Sequence, residues 1–251
     1  MIVVRNITKV TLIVLSVALL SSCAKTTNKV HSRKYPINFV QAKKIAREIY
    51  KLHPKTFYCS CEFNNDAVID FKKCGFKPKN NSKRNYKLEW EHVVTAKELG
   101  GHYPCWNSKI CTTKKGKRYK GRKCCEKINS KFNLAISDGH NIVPSIGSVN
   151  NTRGAKNFSN VEVENYEYGL CKIGFNIKTA IPDKKIRGVI ARKYLYMIDT
   201  YNIEIDNEYK NLMINWNKAY PPSETEVKIH DEIAKTQGSS NPYVKLYYKF
   251  K

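Results

Sequence analysis

Between Leu88 and Val94 the chain reads Leu-Glu-Trp-Glu-His-Val-Val, placing two carboxylates and an imidazole inside an apolar, β-prone stretch. An unperturbed imidazole titrates near 6.5 and can accept a proton from water at neutral pH. A carboxylate is a hard oxygen donor of the kind Mg²⁺ selects. Successive side chains of a strand face opposite sides, so Glu91 and His92 could divide the work if the strand ends or bends there. One would ligate and the other abstract a proton. Taken alone, Glu-His is a weak signal and better fits a surface acid beside a half-buried histidine.

Three further residues carry chemistry in principle. Arg122 has the planar guanidinium that binds phosphate through two hydrogen bonds, but it lies in a dense basic run with Lys114, Lys115, Lys117, Arg118, Lys120 and Lys123. Asn150 offers an amide oxygen, yet Asn150-Asn151-Thr152 has the composition of a turn. Arg153 follows three residues later, where it could touch a flanking phosphate. His140, beside Asn141, reads as a structural histidine that orients its neighbours.

These residues need elements to hold them. Asn38 can cap a helix whose apolar positions Ala42, Ile45, Ala46, Ile49 and Leu52 recur at helical spacing and stop before Pro54. From Asp183 onward two more stripes appear: Ile186, Val189, Ile190, Tyr194 and Met197, then Tyr209, Leu212, Met213, Trp216 and Tyr220. Ser223 and Glu226 predict a capping box before a helix ending at Gln237-Gly238. The middle, 57–157, lacks sustained helical period and reads as short strands and long stapled loops, where the chemistry should lie. The expected fold class is α+β.

The N-terminus carries a different signal. Arg5 and Lys9 precede an apolar run from Val10 to Leu20, followed by Leu20-Ser21-Ser22-Cys23. The run is shorter than the roughly 20 residues a membrane span needs, so residues 1–22 are expected to be an export signal. Leu-Ser-Ser-Cys resembles a lipoprotein cleavage site with Cys23 as the lipidated residue, and 23–37 reads as a polar tether to a domain over 38–251. Ala24 replaces the aspartate that retains lipoproteins at an inner membrane, which tilts the expectation toward a periplasmic or cell-surface position on the outer membrane. Of nine cysteines, Cys23 leaves eight, an even number suited to disulfides in an oxidising compartment. Eight cysteines allow on the order of a hundred pairings, and connectivity stays open beyond Cys124 and Cys125 taking different partners. The formal charge is +24, and losing Arg5 and Lys9 with the signal leaves 24 − 2 = +22. Such an excess attracts phosphate backbones and anionic membrane surfaces alike.

The motifs Tyr58-Cys59-Ser60-Cys61, Cys74-Gly75-Phe76, Trp90-Glu91-His92-Val93-Val94, Gly121-Arg122-Lys123-Cys124, Asp138-Gly139-His140-Asn141 and Val149-Asn150 occur in this order. So do Arg187-Gly188-Val189-Ile190-Ala191-Arg192, Trp216-Asn217-Lys218-Ala219-Tyr220-Pro221 and Asn241-Pro242-Tyr243-Val244. Together, over about 40–250, they resemble bacterial endonuclease I. The resemblance implies a ββα-metal (His-Me finger) core, and a monomer that cuts double- and single-stranded DNA with little sequence preference, RNA being a further substrate. It implies Mg²⁺ as cofactor, with Mn²⁺ or Ca²⁺ as substitutes, held by Glu91 and Asn150. His92 becomes the general base, Arg122 the ligand of the scissile phosphate and Arg153 a flanking phosphate contact.

Departures from the family pattern are visible. The stretch between Cys105 and Gly121 is about ten residues longer and adds Cys111 and several lysines, either to contact extra phosphates or as solvated decoration. Ile136 stands where the family often has glutamate. Family cysteines near Val227 and the C-terminus are missing, which suggests that Cys111 and Cys125 form a different bridge. The rival readings are a lipid-anchored basic protein that captures DNA or another polyanion without cutting, and a zinc module using His102 with the cysteines at 105–125.

Overall fold

The computed structural model describes residues 38–162 and 165–247; the export signal, Cys23 and the tether lie outside the described residues. In chain order the helices are α1 (Phe39–Ile49), α2 (Phe71–Cys74), α3 (Ala96–Gly100), α4 (Pro104–Asn107), α5 (Arg122–Ile128), α6 (Ser130–Ile136), α7 (Gly147–Arg153), α8 (Lys184–Tyr201), α9 (Asn207–Ala219), α10 (Glu224–Gln237) and α11 (Pro242–Lys245). The strands are β1 (Leu88–His92), β2 (Cys111–Thr112), β3 (Arg118–Tyr119), β4 (Ile142–Ile146), β5 (Asn157–Phe158), β6 (Ile173–Phe175) and β7 (Thr179–Pro182). The α+β expectation holds. No helix among the described residues is long and apolar enough to cross a membrane.

Helix α1 starts where predicted, with the Asn38 side chain accepting from the Gln41 N–H at 3.0 Å, and buries Ala42, Ala46 and Ile49. Its continuation, a 3-10 turn over Tyr50–Leu52, ends before Pro54. Helix α8 is the central support. It buries Ile190, Ala191, Tyr194 and Met197 and packs along α9. Ser223 caps α10 by accepting from Glu226 N–H, but the Glu226 carboxylate does not complete a capping box. Both its oxygens instead take the buried Arg192 guanidinium at 2.7 and 2.5 Å.

The middle is more helical than its sequence suggested. Thr95 and Glu98 make a reciprocal capping box for α3, and Asn129 caps α6. Four disulfides join Cys59–Cys171, Cys61–Cys74, Cys105–Cys125 and Cys111–Cys124. Cys124 and Cys125 do bond to different partners. The suggested Cys111–Cys125 bridge is corrected, because consecutive residues at the start of α5 point their sulfurs to different neighbours, one to β2 and one to α4. With all four cysteines of this region in disulfides, no thiolates remain for a zinc site.

The site rests on β1, β4 and α7. The two strands pair antiparallel with Glu91 opposite Val143 and His92 opposite Ile142. Every residue of β4 is buried; Pro144, which cannot donate a backbone hydrogen bond, offers its carbonyl to Phe57 N–H at 2.8 Å. Helix α7 follows β4 directly and packs on both strands. The junction is tight: a Cβ on Gly147 would sit 2.6 Å from the Arg84 carbonyl oxygen and 2.8 Å from a Glu89 carboxylate oxygen.

Candidate active site

Glu91 and His92 end β1, both buried, and face opposite ways. On Glu91's side the surroundings are polar. Its Oε1 accepts from the Tyr58 hydroxyl at 2.8 Å and lies 3.6 Å from Arg153 Nη1. Its Oε2 is buried without a hydrogen-bond partner. Burial raises the carboxyl's pKa, and the Arg153 charge, the Tyr58 hydrogen bond and the nearby Ser145 hydroxyl oppose the rise; that hydroxyl donates to the Ile146 carbonyl at 3.3 Å, which leaves Oε2 unpartnered. An orphan buried carboxylate oxygen is costly unless something electropositive meets it.

Two residues back on the same face of β1, Glu89 binds Arg84 through Nε at 2.7 Å and Nη2 at 2.8 Å. Asn150 on α7 donates its amide N–H to Glu89 at 2.8 Å. That bond leaves the Asn150 amide oxygen as an acceptor beside the acidic face. Arg84 Nη1 then reaches Asn151 Oδ1 at 2.7 Å, tying the strand to the helix. Glu89, Glu91 and Asn150 thus form one oxygen-rich cluster. Hard oxygen donors in a small number, with one carboxylate oxygen unpartnered, fit Mg²⁺, which keeps open positions for water and substrate oxygens. Among the described residues no group of three or more His, Cys, Asp or Glu could hold a metal, so the fit rests on Glu91 Oε2 and the Asn150 amide oxygen.

His92's side is apolar and histidine-specific. The ring packs 4.5 Å from Phe39 of α1, and Nε2 lies 2.6 Å from the Ile136 carbonyl oxygen at the end of α6. A carbonyl only accepts, so Nε2 carries the proton and Nδ1 holds the lone pair. Desolvation lowers the ring's pKa to about 3, so the neutral form is the resident one. Ile136, noted above as a departure, serves through its backbone and needs no acidic side chain for that.

Arg122, the first residue of α5, is half-buried. Its Nε donates to Glu126 at 2.7 Å and its guanidinium stacks 5.1 Å from the Phe39 ring. Phe39 therefore lies against both His92 and Arg122. Arg153 is placed differently from expectation. It is 1% exposed, and its guanidinium donates to the carbonyls of His92 at 2.9 Å and Val93 at 2.5 Å while stacking on Phe158. Both its Nη groups fix the end of β1 beside Glu91, and its burial corrects the expected surface contact with a flanking phosphate to an internal role. His140 is structural as read, with Nε2 donating to the Ser239 carbonyl at 2.9 Å.

Sequence reasoning did not assign Tyr58, Glu89, Arg84, Phe39 or Glu126. Glu89 was findable, since it shares Glu91's face by the two-residue period. Phe39 gave no signal, being one apolar residue of an amphipathic helix. A cavity of about 370 Å³ beside α8 and α10, lined by Tyr50, Phe57, Lys193 and Ile229 among others, contains none of the candidate catalytic or metal residues.

The strand pair thus carries an oxygen-rich cluster on one face and an oriented, neutral histidine on the other. The chain matches the Endonuclease I family over residues 24–246, and it belongs to that family and is an endonuclease. It is 34% identical to a periplasmic deoxyribonuclease of Aeromonas hydrophila over 203 residues, covering 78% of this chain and 81% of that protein. It is 35% identical to endonuclease-1 of Buchnera aphidicola subsp. Acyrthosiphon pisum over 212 residues, 82% of this chain and 80% of the relative. An extracellular endonuclease of Pseudomonas fluorescens biotype A is 26% identical over 241 residues, 88% and 92% of the two chains. This membership sets aside the non-catalytic capture reading.

Proposed function

We propose that the chain is an exported, Mg²⁺-dependent endonuclease that hydrolyses DNA with little sequence preference, and RNA by the same chemistry. Glu91 and Asn150 hold the metal, His92 is the general base and Arg122 grips the scissile phosphate. The unpartnered Glu91 Oε2, on the same face of β1 as the Glu89 carboxylate that holds the Asn150 amide, carries this reading. β1, β4 and α7 make the ββα-metal core, supported by an antiparallel pair running straight into a helix packed on both strands.

His92 Nδ1 takes a proton from water as the water oxygen bonds to phosphorus and the bond to the leaving oxygen breaks. The Ile136 carbonyl holds the Nε2 proton and stabilises the imidazolium that forms. An anionic phosphate beside the ring raises its proton affinity, which offsets the low resting value. Mg²⁺ held by Glu91 and Asn150 would supply charge stabilisation to the five-coordinate phosphorus and the leaving oxygen. Arg153 keeps the Glu91–His92 backbone in place.

Export through residues 1–22, lipid on Cys23, a tether over 23–37 and a monomeric domain from 38 onward complete the proposal. The relatives named periplasmic and extracellular, and the four disulfides, support export. Mass spectrometry of the mature N-terminus tests the lipid: an unmodified terminus would reject it and leave the nuclease reading standing. The activity is tested by nicking of supercoiled plasmid by the oxidised protein in Mg²⁺ and in EDTA. Cutting in Mg²⁺ alone is expected, and equal cutting in EDTA would overturn the metal assignment.

A further inference from the structure

The stretch from Lys109 to Lys123 holds Lys109, Lys114, Lys115, Lys117, Arg118, Lys120, Arg122 and Lys123 and no acid. Like charges gathered this way repel one another and ordinarily favour a disordered tail. Here they are instead built into a defined hairpin. Strands β2 and β3 pair Cys111 with Tyr119 and Thr112 with Arg118. The turn closes through Thr113 N–H to the Lys117 carbonyl and Gly116 N–H to the Thr113 carbonyl, both at 3.0 Å, with Gly116 at φ +79°, a conformation glycine adopts freely.

A two-stranded hairpin is marginal by itself. Cys111–Cys124 ties this one to α5, and Cys105–Cys125 ties α5 to α4. Arg118 Nε donates to the Lys109 carbonyl at 2.8 Å and Lys120 Nζ to the Asn107 carbonyl at 3.0 Å. Lys109, Lys114, Lys115, Lys117 and Lys123 are exposed, and among the described residues none of them forms an ion pair. The covalent frame therefore holds a row of uncompensated cations in one place.

That place adjoins the active site. Arg122 begins the helix to which the hairpin is bonded, and it shares Phe39 with His92. Lys117 is five residues from Arg122, at most about 17 Å of extended chain. One DNA strand presents a phosphate about every 3.4 Å of helix axis, so the hairpin tip and the scissile phosphate lie within about five phosphates of each other.

We infer that the disulfide-pinned hairpin at 109–120 is a backbone clamp that binds phosphates of the same nucleic acid a few nucleotides from the cut. The inference rests on the reading of the chain as a DNA endonuclease. It makes the extra length between Cys105 and Gly121 a substrate-gripping device. The clamp reads charge and not bases, in keeping with a contact that positions without specifying sequence.

The test combines Lys114→Gln, Lys115→Gln and Lys117→Gln in a His92→Ala background, so that bound DNA stays whole. Anisotropy of a labelled duplex is followed from about 50 to 200 mM salt. Each phosphate that the protein no longer neutralises makes the slope of log K against log[salt] shallower by about 0.9, so the triple change should reduce it by roughly 2 to 3. An unchanged slope would overturn the clamp. With His92 intact, the same three substitutions should raise KM and leave kcat unaltered. Vesicles of phosphatidylglycerol separate DNA from membrane: if the substitutions abolish vesicle binding and leave the DNA slope intact, the hairpin is a membrane contact and the inference fails. Cutting retained by His92→Ala would contradict the base assignment; the titration repeated in EDTA, which keeps the duplex whole, would then still decide the clamp.

Discussion

The two faces of β1 treat two adjacent titratable groups in opposite ways. Behind Glu91 the protein gathers Tyr58, Arg153 and the Glu89–Arg84–Asn150 network. Behind His92 it places a phenyl ring and a single carbonyl. Burial alone pushes both groups toward neutrality, raising Glu91 and lowering His92. The polar face opposes that push so that a carboxylate can meet a cation. The apolar face permits it, so the imidazole stays unprotonated with its tautomer fixed. A carboxylate and a neutral imidazole, the metal ligand and the base proposed above, can thus be sequence neighbours because a strand separates their environments.

The sharpest way to break this comparison is to remove the proposed base. His92→Ala should lower kcat by about 10²–10⁴, the usual contribution of general base catalysis, with DNA affinity retained in a binding assay. Glu91→Gln keeps the shape and most hydrogen bonds but removes the charge, so the variant should need far more Mg²⁺ for cutting. A metal titration identical to wild type would contradict its role.

The two arginines divide along the same line. Arg153→Ala leaves Glu91 buried without its cation and should cost about 3–5 kcal/mol in denaturant unfolding. Arg122→Ala removes a half-exposed ion pair worth at most about 1 kcal/mol, so its effect should appear in cleavage kinetics with little change in Tm. The disulfides give a graded set: in the chain-entropy view, opening Cys59–Cys171, with a separation of 112, should cost about 4.7 kcal/mol, against about 3 kcal/mol for the 13-residue separation of Cys111–Cys124.

A further effect is in pH. His92 and His140 have folded pKa values lowered to about 3 and about 4, chiefly by burial, against about 6.5 unfolded. Their contribution is complete above about pH 6.5 and is lost as pH falls toward those folded values. Glu91, raised on folding, has the opposite sign. In EDTA, unfolding midpoints should fall on acidification, and His140→Gln should flatten the fall.

Long amphipathic helices were legible because their burial is periodic: α1, α8, α9 and α10 all lie where stripes and caps placed them. Helices α3 to α6 were not, since segments of four to seven residues show too few turns for a period and are held by disulfides and packing. The Thr95–Glu98 capping box was present in the letters and went unread. The roles proposed for Glu91, His92, Arg122 and Asn150 came from motif order and not from local pattern. Arg153 was misplaced because an arginine on a short helix reads as surface until the carbonyls that bury it are known.

The most direct test of the account is single-turnover plasmid cleavage by His92→Ala in Mg²⁺, with and without added imidazole. The rate should collapse without imidazole and recover in part with it, since the missing group is a proton acceptor in an otherwise assembled site. A variant that cuts at the wild-type rate without imidazole would contradict His92 as the base.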